Sequence, residues 1–259
     1  MTVNHLPRPR PGAFIQMPAR TTTGVPELDH VLEGGLRVPS ATLLHGPPFT
    51  GKSMLARRFI LAGLKQDMPA LVLLTDRTAA EARREFQRLD PEYGNYESEG
   101  LIYFVDAFSE FIGAVESSSR VEYVNSPSDL KALGLALHGA QRKVAGQGGS
   151  YRLLIDSVST LIAHTDVQAT FRFLQVALGR VHASSGVAAL LLDSGMHAGT
   201  EVEWVKHLVD GAIEFRPDQE KNYLRVDADC TSGTRGWLEY EFDQRTLDVT
   251  GSLAARRIR

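Results

Sequence analysis

Cysteine is nearly absent. Cys230 is the only one in 259 residues, so no internal disulfide can form and no thiolate zinc site can be built from it. Long apolar runs are missing too: the longest, such as Ala70 to Leu74 and Val187 to Leu192, fall far short of the ~20 residues of a membrane span. Met1 to Arg10 carries proline and arginine but no apolar stretch, so no secretory signal is expected there. Positive charge is not in excess, with 28 Lys and Arg against 31 Asp and Glu, a net charge of −3. A general polyanion binder is ordinarily basic, so this balance argues against nucleic acid as a partner. None of the eight histidines stands at a metal-ligand helix spacing such as H-E-x-x-H. There is no internal repeat and no linker rich enough to split the chain. What is present, 43% hydrophobic and 23% charged residues, suits a globular protein with a sizeable core. A reduced, cytoplasmic, water-soluble protein with no membrane association is the expectation.

Short apolar runs alternate with helical patterns. Ala41 to His45, Ala70 to Thr75, Leu101 to Val105, Leu153 to Asp156 and Val187 to Leu192 read as strands buried on both faces, because Leu, Val and Ile fill consecutive positions. Ser53 to Gln66, Ala79 to Leu89, Leu130 to Val144, Val167 to Ala183 and Val202 to Leu208 read as helices. In the fourth, Phe171, Leu174 and Leu178 share a face. Ser126, Pro127 and Asp129 form a helix-start signature with Ser126 as the hydroxyl cap. The β-α alternation predicts an α/β fold with a mainly parallel central sheet flanked by helices. Closely spaced strand-like runs at Ala212 to Arg216, Tyr223 to Asp227 and Trp237 to Phe242 predict C-terminal antiparallel strands extending one edge. Residues 1–20 read as a flexible N-terminal arm, 21–250 as one ligand-binding domain, and 251–259 as a basic tail carrying Arg256, Arg257 and Arg259, both ends being solvated.

The chemistry is concentrated in Gly46-Pro47-Pro48-Phe49-Thr50-Gly51-Lys52-Ser53. This segment fits G-x-x-x-x-G-K-[ST] between a strand and an apolar helix, the context a phosphate-binding loop needs. A triphosphate is a dense anion. Such a loop turns backbone N–H groups inward, and the helix that follows presents its positive end. Gly46 and Gly51 permit the close approach, Lys52 would reach the β- and γ-phosphates, and the Ser53 hydroxyl would ligate Mg²⁺. Asp156 ends an apolar strand about a hundred residues after Lys52. At such a strand tip it can hold the Mg²⁺ shell through water. ATP and Mg²⁺ are therefore the expected ligands.

Further residues carry a family resemblance. Thr23-Gly24-Val25-Pro26-Glu27-Leu28-Asp29 followed by Leu32-Glu33-Gly34-Gly35-Leu36 resembles the lead-in to the phosphate loop of RecA/RadA-like ATPases of the KaiC type. Leu153 to Leu161 (LLIDSVSTL) resembles the metal-binding strand of that family, and His207 to Ile213 resembles its later "ADGVI" segment. The likeness spans roughly residues 21–250 and is closest in style to single-domain KaiC-like proteins of prokaryotic signal transduction. It implies a RecA-like P-loop core that binds ATP and Mg²⁺, commonly assembled as a homo-oligomeric ring. Strand-end polar groups sense the γ-phosphate in such folds, a role open to Asp193 and Ser194, which otherwise form a simple turn.

The departures from the family pattern shape the functional expectation. KaiC-like ATPases usually carry one or two glutamates just after the second strand, where a carboxylate positions and activates the attacking water. The matching stretch here is Leu74-Thr75-Asp76-Arg77-Thr78. Asp76 is one methylene shorter than glutamate and is either that catalytic carboxylate, retracted, or a surface acid, and Arg77 can pair with it. A positioned base contributes roughly 10²–10⁴-fold, so slow turnover is expected. The family's Lys-x-Arg pair, which reaches the neighbouring subunit's nucleotide, is matched by the acidic Val226 to Cys230, with Arg235 as a distant substitute. Phe49 stands where the family usually has glycine. The expectation is an ATP-binding regulatory switch with slow or degenerate hydrolysis, read by a signalling protein partner. The alternatives are a DNA-dependent recombination or repair ATPase, which the acidic segment Ser194 to Lys206 opposes, and a scaffold that binds nucleotide only for stability.

Overall fold

The computed structural model describes residues 19–147, 149–228 and 236–251. The basic tail at 252–259, Arg235, Cys230 and all of the arm but its last two residues lie outside the described residues. Arg20 stands in a strand, β1 (Arg20–Thr21), antiparallel to β2 (Leu36–Arg37). Between them runs the short helix α1 (Pro26–Val31). The lead-in is knotted by Asp29, whose Oδ1 accepts from Thr23 N at 2.6 Å and Thr23 Oγ1 at 2.7 Å.

The main chain then alternates: β3 (Ser40–Gly46), α2 (Lys52–Leu64), β4 (Ala70–Leu74), α3 (Ala79–Leu89), α4 (Tyr93–Ser98), β5 (Ile102–Asp106), β6 (Val121–Tyr123), α5 (Leu130–Ala145), β7 (Arg152–Asp156), α6 (Val158–His164), α7 (Val167–Ala183), β8 (Val187–Asp193) and α8 (Gly199–Lys206). Four strands follow, β9 (Gly211–Asp218), β10 (Lys221–Ala228), β11 (Leu238–Phe242) and β12 (Leu247–Val249). Ten strands form one sheet in the order β12-β11-β10-β9-β3-β8-β7-β4-β5-β6. From β9 through β6 neighbours run parallel, and from β9 to β12 they run antiparallel. This is the expected α/β architecture: a mainly parallel sheet with antiparallel strands along one edge.

Alternate side chains of each central strand face opposite layers, which is why both faces are apolar. Val72 and Leu74 pack with Leu55, Phe59 and Phe86 of α2 and α3. Leu71 and Leu73 pack with Leu133, Leu137 and Leu178 of α5 and α7. The start of α5 differs from the sequence expectation. Its cap is Asp129, whose Oδ1 accepts from Ala132 N at 2.9 Å, while Ser126 Oγ accepts from Ser128 N one turn earlier. A carboxylate close to the helix start outcompetes the more distant hydroxyl.

Arg152 is a fully buried guanidinium at the start of β7. It donates to Phe59 O and, at 2.7 Å, to Thr21 Oγ1, and lies 4.6 Å over the Phe59 ring. Burial pulls its pKa down to about 10, against the opposing pull of Asp29. It thereby ties the lead-in strand to α2. Its stem passes where Gly63 has no side chain: a Cβ there would lie 2.4 Å from Arg152 Cδ and Nε. Gly63→Ala should therefore destabilise the protein by up to about 2 kcal/mol, overpacking of about 1–3 kcal/mol outweighing the ~1 kcal/mol of helix propensity gained. Urea denaturation measures this, and a stabilised variant would contradict the packing described.

Candidate functional site

All the parallel strands point their C-terminal ends to one edge of the sheet, the edge where ligands of open α/β sheets bind. At the tip of β3, Gly46 sits so close to β9 that a Cβ would lie 2.5 Å from Phe215 O. The loop then climbs over Pro47 and Pro48 to Phe49, whose φ of +61° is left-handed and whose ring is 98% exposed. A non-glycine residue in that region carries strain, so aromatic bulk is held on the lip of the loop against the local preference and does not pack on the surface. Gly51, at φ +81°, ends the loop and starts α2. No side chain caps α2 and no acid lies in its first turn, so the positive end of a 13-residue helix is left open to an anion. Ser53 lies in that first turn.

Lys52 is buried inside the loop. Its Nζ donates to Pro47 O at 2.6 Å and to Asp193 Oδ1 at 2.8 Å. Thr50 Oγ1 donates to the same Pro47 carbonyl at 2.8 Å. Asp193 ends β8, the strand next to β3, and its own N–H donates to Ser159 Oγ at 2.8 Å. The neighbouring Ser194 N donates to Gly46 O at 2.9 Å. The loop's ammonium thus faces a carboxylate, which a phosphate would have to join or displace.

Two strands away, Asp156 closes β7. Its pKa is raised to about 6, because burial opposes the charged form more strongly than Arg77 favours it. Thr75 clasps the adjacent strand tip, donating from N to Asp156 O at 2.9 Å and accepting from Ser157 N at 2.8 Å through its hydroxyl. The peptide between Asp156 and Ser157 is cis. After Thr75 comes Asp76, exposed, and then Arg77. Arg77 Nε lies 3.1 Å from Asp76 Oδ1 and 3.3 Å from Asp156 Oδ2, and its Nη1 lies 3.3 Å from Glu85 Oε2. Burial works against the charged guanidinium, but Asp156, Asp76 and Glu85 together outweigh it and raise the Arg77 pKa above its ordinary range. The turn carrying these residues is rigid. Thr78 and Glu81 form a reciprocal capping box at the start of α3, and Asp106 Oδ2 accepts from Ala79 N at 2.7 Å.

Lys52, Ser53, Arg77 and Asp193 border one cleft of about 710 Å³. Phe242, at the end of β11, and residues 243–245 of the turn that follows also line it. The Tyr240 hydroxyl donates to Thr50 O, and Phe242 lies against Gly51. The volume suits a small ligand, and the open helix end and buried ammonium suit a polyphosphate.

A family model for the KaiC ATPase matches residues 21–237. The chain belongs to the KaiC ATPase family. It is 30% identical over 207 residues to the UPF0273 protein of Methanopyrus kandleri, covering 79% of each chain. To the UPF0273 protein of Pyrococcus furiosus it is 30% identical over 212 residues, 81% of this chain and 83% of that one. To that of Pyrobaculum aerophilum it is 33% identical over 202 residues, 77% and 69% of the two. No helix among the described residues is long and apolar enough to cross a membrane.

In this KaiC-family chain the donor set is compatible with Mg²⁺. The Ser53 hydroxyl and the Asp156 carboxylate carry hard oxygens of the kind Mg²⁺ takes. Among the described residues no group of three or more acidic, histidine or cysteine side chains gathers to hold a metal, so an ion here would rely on phosphate oxygens and water for most of its shell. Several lining residues went unseen in the sequence: Arg57, Glu85, Arg88 and Arg245. Arg57 did leave a signal. It follows Ser53 by four positions, and so shares its helix face, and it pairs with Glu85 at 2.6 Å.

Proposed function

We propose that the chain binds ATP with Mg²⁺ in this cleft and acts as a nucleotide-dependent regulatory switch that hydrolyses ATP slowly, its state being read by a signalling partner. The single observation behind this reading is the pairing of an uncapped phosphate loop with a carboxylate tied to a neighbouring guanidinium. α2 offers an uncapped N-terminus and Lys52, while Asp76 is short and engaged by Arg77. Lys52 would hold the β- and γ-phosphates and the loop amides of residues 46–53 would cradle them. The ion supplies charge neutralisation when bound; Ser53 would ligate it and Asp156 would orient its outer-shell water. Asp76 would have to position the attacking water from a distance, and a misplaced water reacts slowly.

Phosphate release with Mg-ATP, alongside hydrogen exchange with ATP and with ADP, tests the proposal. Slow release with different exchange protection in the two nucleotides is expected. Fast turnover, or one exchange pattern regardless of nucleotide, would overturn the switch.

Asp193 also bears on ATP recognition. Its carboxylate meets the Lys52 ammonium at 2.8 Å, so a γ-phosphate arriving there meets a like charge. Asp193→Asn keeps the shape and removes the charge, and should tighten ATP binding by about three- to tenfold, roughly 0.7–1.4 kcal/mol. Calorimetry measures it. Weakened binding would mean that the carboxylate assists the phosphate.

A further inference from the structure

We propose that the groove between α5 and α7 is a docking site for an acidic amphipathic helix of a partner protein. It belongs to the helical layer that packs with Leu71 and Leu73 of the sheet, and it shares no lining residue with the phosphate-loop cleft. The proposal therefore does not depend on the nucleotide reading.

Shape comes first. The inward faces of the two helices, Leu133 and Leu137 on α5 and Leu174 and Leu178 on α7, join the core. Outward, the helices leave a cavity of about 470 Å³, room enough for inserted side chains. Leu135 is 66% exposed and Val176 is 53% exposed. Single exposed apolar side chains are ordinary on a protein surface. Here both line one groove, together with Phe173. Gly134 adds to the opening, since a Cβ there would meet no atom within 4 Å.

Charge decides the occupant. The chain as a whole has 31 acids against 28 Lys and Arg. Yet α5 and α7, of 16 and 17 residues, contain no aspartate or glutamate. Lys131, Arg172 and Arg180 line the groove and no carboxylate does. Among the described residues none of these three cations has an ion-pair partner. The caps Asp129 and Asp166 stand at the helix starts, and each already accepts a backbone N–H, from Ala132 at 2.9 Å and from Ala169 at 2.7 Å. Unpaired cations beside exposed apolar side chains complement a helix with apolar anchors one turn apart and carboxylates flanking them. The carboxylates would set specificity and speed encounter. An anionic bilayer offers the same charge. A cleft between two helices, however, receives a ridge of side chains better than a plane.

The experiment measures the fluorescence anisotropy of two labelled synthetic helices titrated with the full chain. One has leucines at every third and fourth position and glutamates elsewhere, and the other has lysines in place of the glutamates. The wild type should bind the glutamate helix at least about tenfold more tightly than the lysine helix. Lys131→Glu/Arg172→Glu, at two exposed positions, should invert that preference. Gly134→Phe, which enters open space, should weaken binding of the glutamate helix at least about tenfold with no loss of thermal stability. Equal affinity for the two helices in the wild type, or no binding of the glutamate helix, overturns the proposal, and that comparison decides even where a variant fails to fold. A folded Gly134→Phe that binds as the wild type does also overturns it. Sedimentation with phosphatidylglycerol vesicles and mass in solution test the other occupants. Vesicle binding that Lys131→Glu/Arg172→Glu abolishes and Gly134→Phe leaves intact would give the face to a membrane. A wild-type oligomer that Gly134→Phe dissociates would give it to a second copy of this chain. Either result overturns the proposal and leaves the nucleotide reading untouched.

Discussion

Lys52→Ala should weaken ATP binding by about a hundredfold or more. A hydrogen bond between a charged donor and phosphate is worth about 1.5–3 kcal/mol, and about 2.7 kcal/mol corresponds to a hundredfold. The geometry adds to that loss. Asp193 points at the Lys52 ammonium, so removing the lysine leaves a half-buried carboxylate turned toward the arriving phosphates. The damage should therefore be partly reversed in Lys52→Ala/Asp193→Asn, and the two substitutions should be non-additive, as contacting residues are. Calorimetric titration of the wild type, both single variants and the double variant closes the cycle. Unchanged ATP affinity in Lys52→Ala would remove the phosphate loop from the binding site. Strict additivity would separate Asp193 from it.

Phosphate release should rise by at least about tenfold in Asp76→Glu/Arg77→Gln, given the 10²–10⁴-fold contribution of a positioned base. On the proposed reading, two obstacles stand between Asp76 and an attacking water. Its side chain is short, and Arg77 Nε holds it at 3.1 Å. The double variant lengthens the carboxylate and frees it, while Thr75 and the Thr78 capping box keep the turn in place. Arg77→Gln alone should gain less, because the carboxylate remains too short. Steady-state phosphate release, with the Lys52→Ala background subtracted, reads the difference. Turnover unchanged in the double variant would mean that the slow step lies elsewhere, in product release or loop closure.

The central strands could be read from the chain because each is buried on both faces. The consecutive Leu and Val of β4 and β8 have no other use. The phosphate loop was equally plain, since glycine, lysine and serine occur there at a spacing that few other structures need. Shorter elements were hidden. α1 (Pro26–Val31) and β12 (Leu247–Val249) are too brief to establish a period. α6 (Val158–His164) follows β7 with more apolar residues, so it reads as a continuation of the strand. Least legible were the partners across the fold. Asp193 meets Lys52 from 141 positions away, and Tyr240 meets Thr50 from 190 away. The contact of Arg77 with Asp156 needs β4 and β7 side by side, a neighbourhood set by strand order and not by local residue preference.

That distant bond from Tyr240 bears on where the working unit ends. The family match stops at residue 237, yet Phe242 and Leu247 lie against Gly51, and Arg58 of α2 reaches the carbonyl of Arg245 at 2.7 Å. The hairpin β11–β12 is thus a brace on the outer wall of the phosphate loop, so anyone trimming this chain at the limit of recognisable similarity would leave the loop without its support.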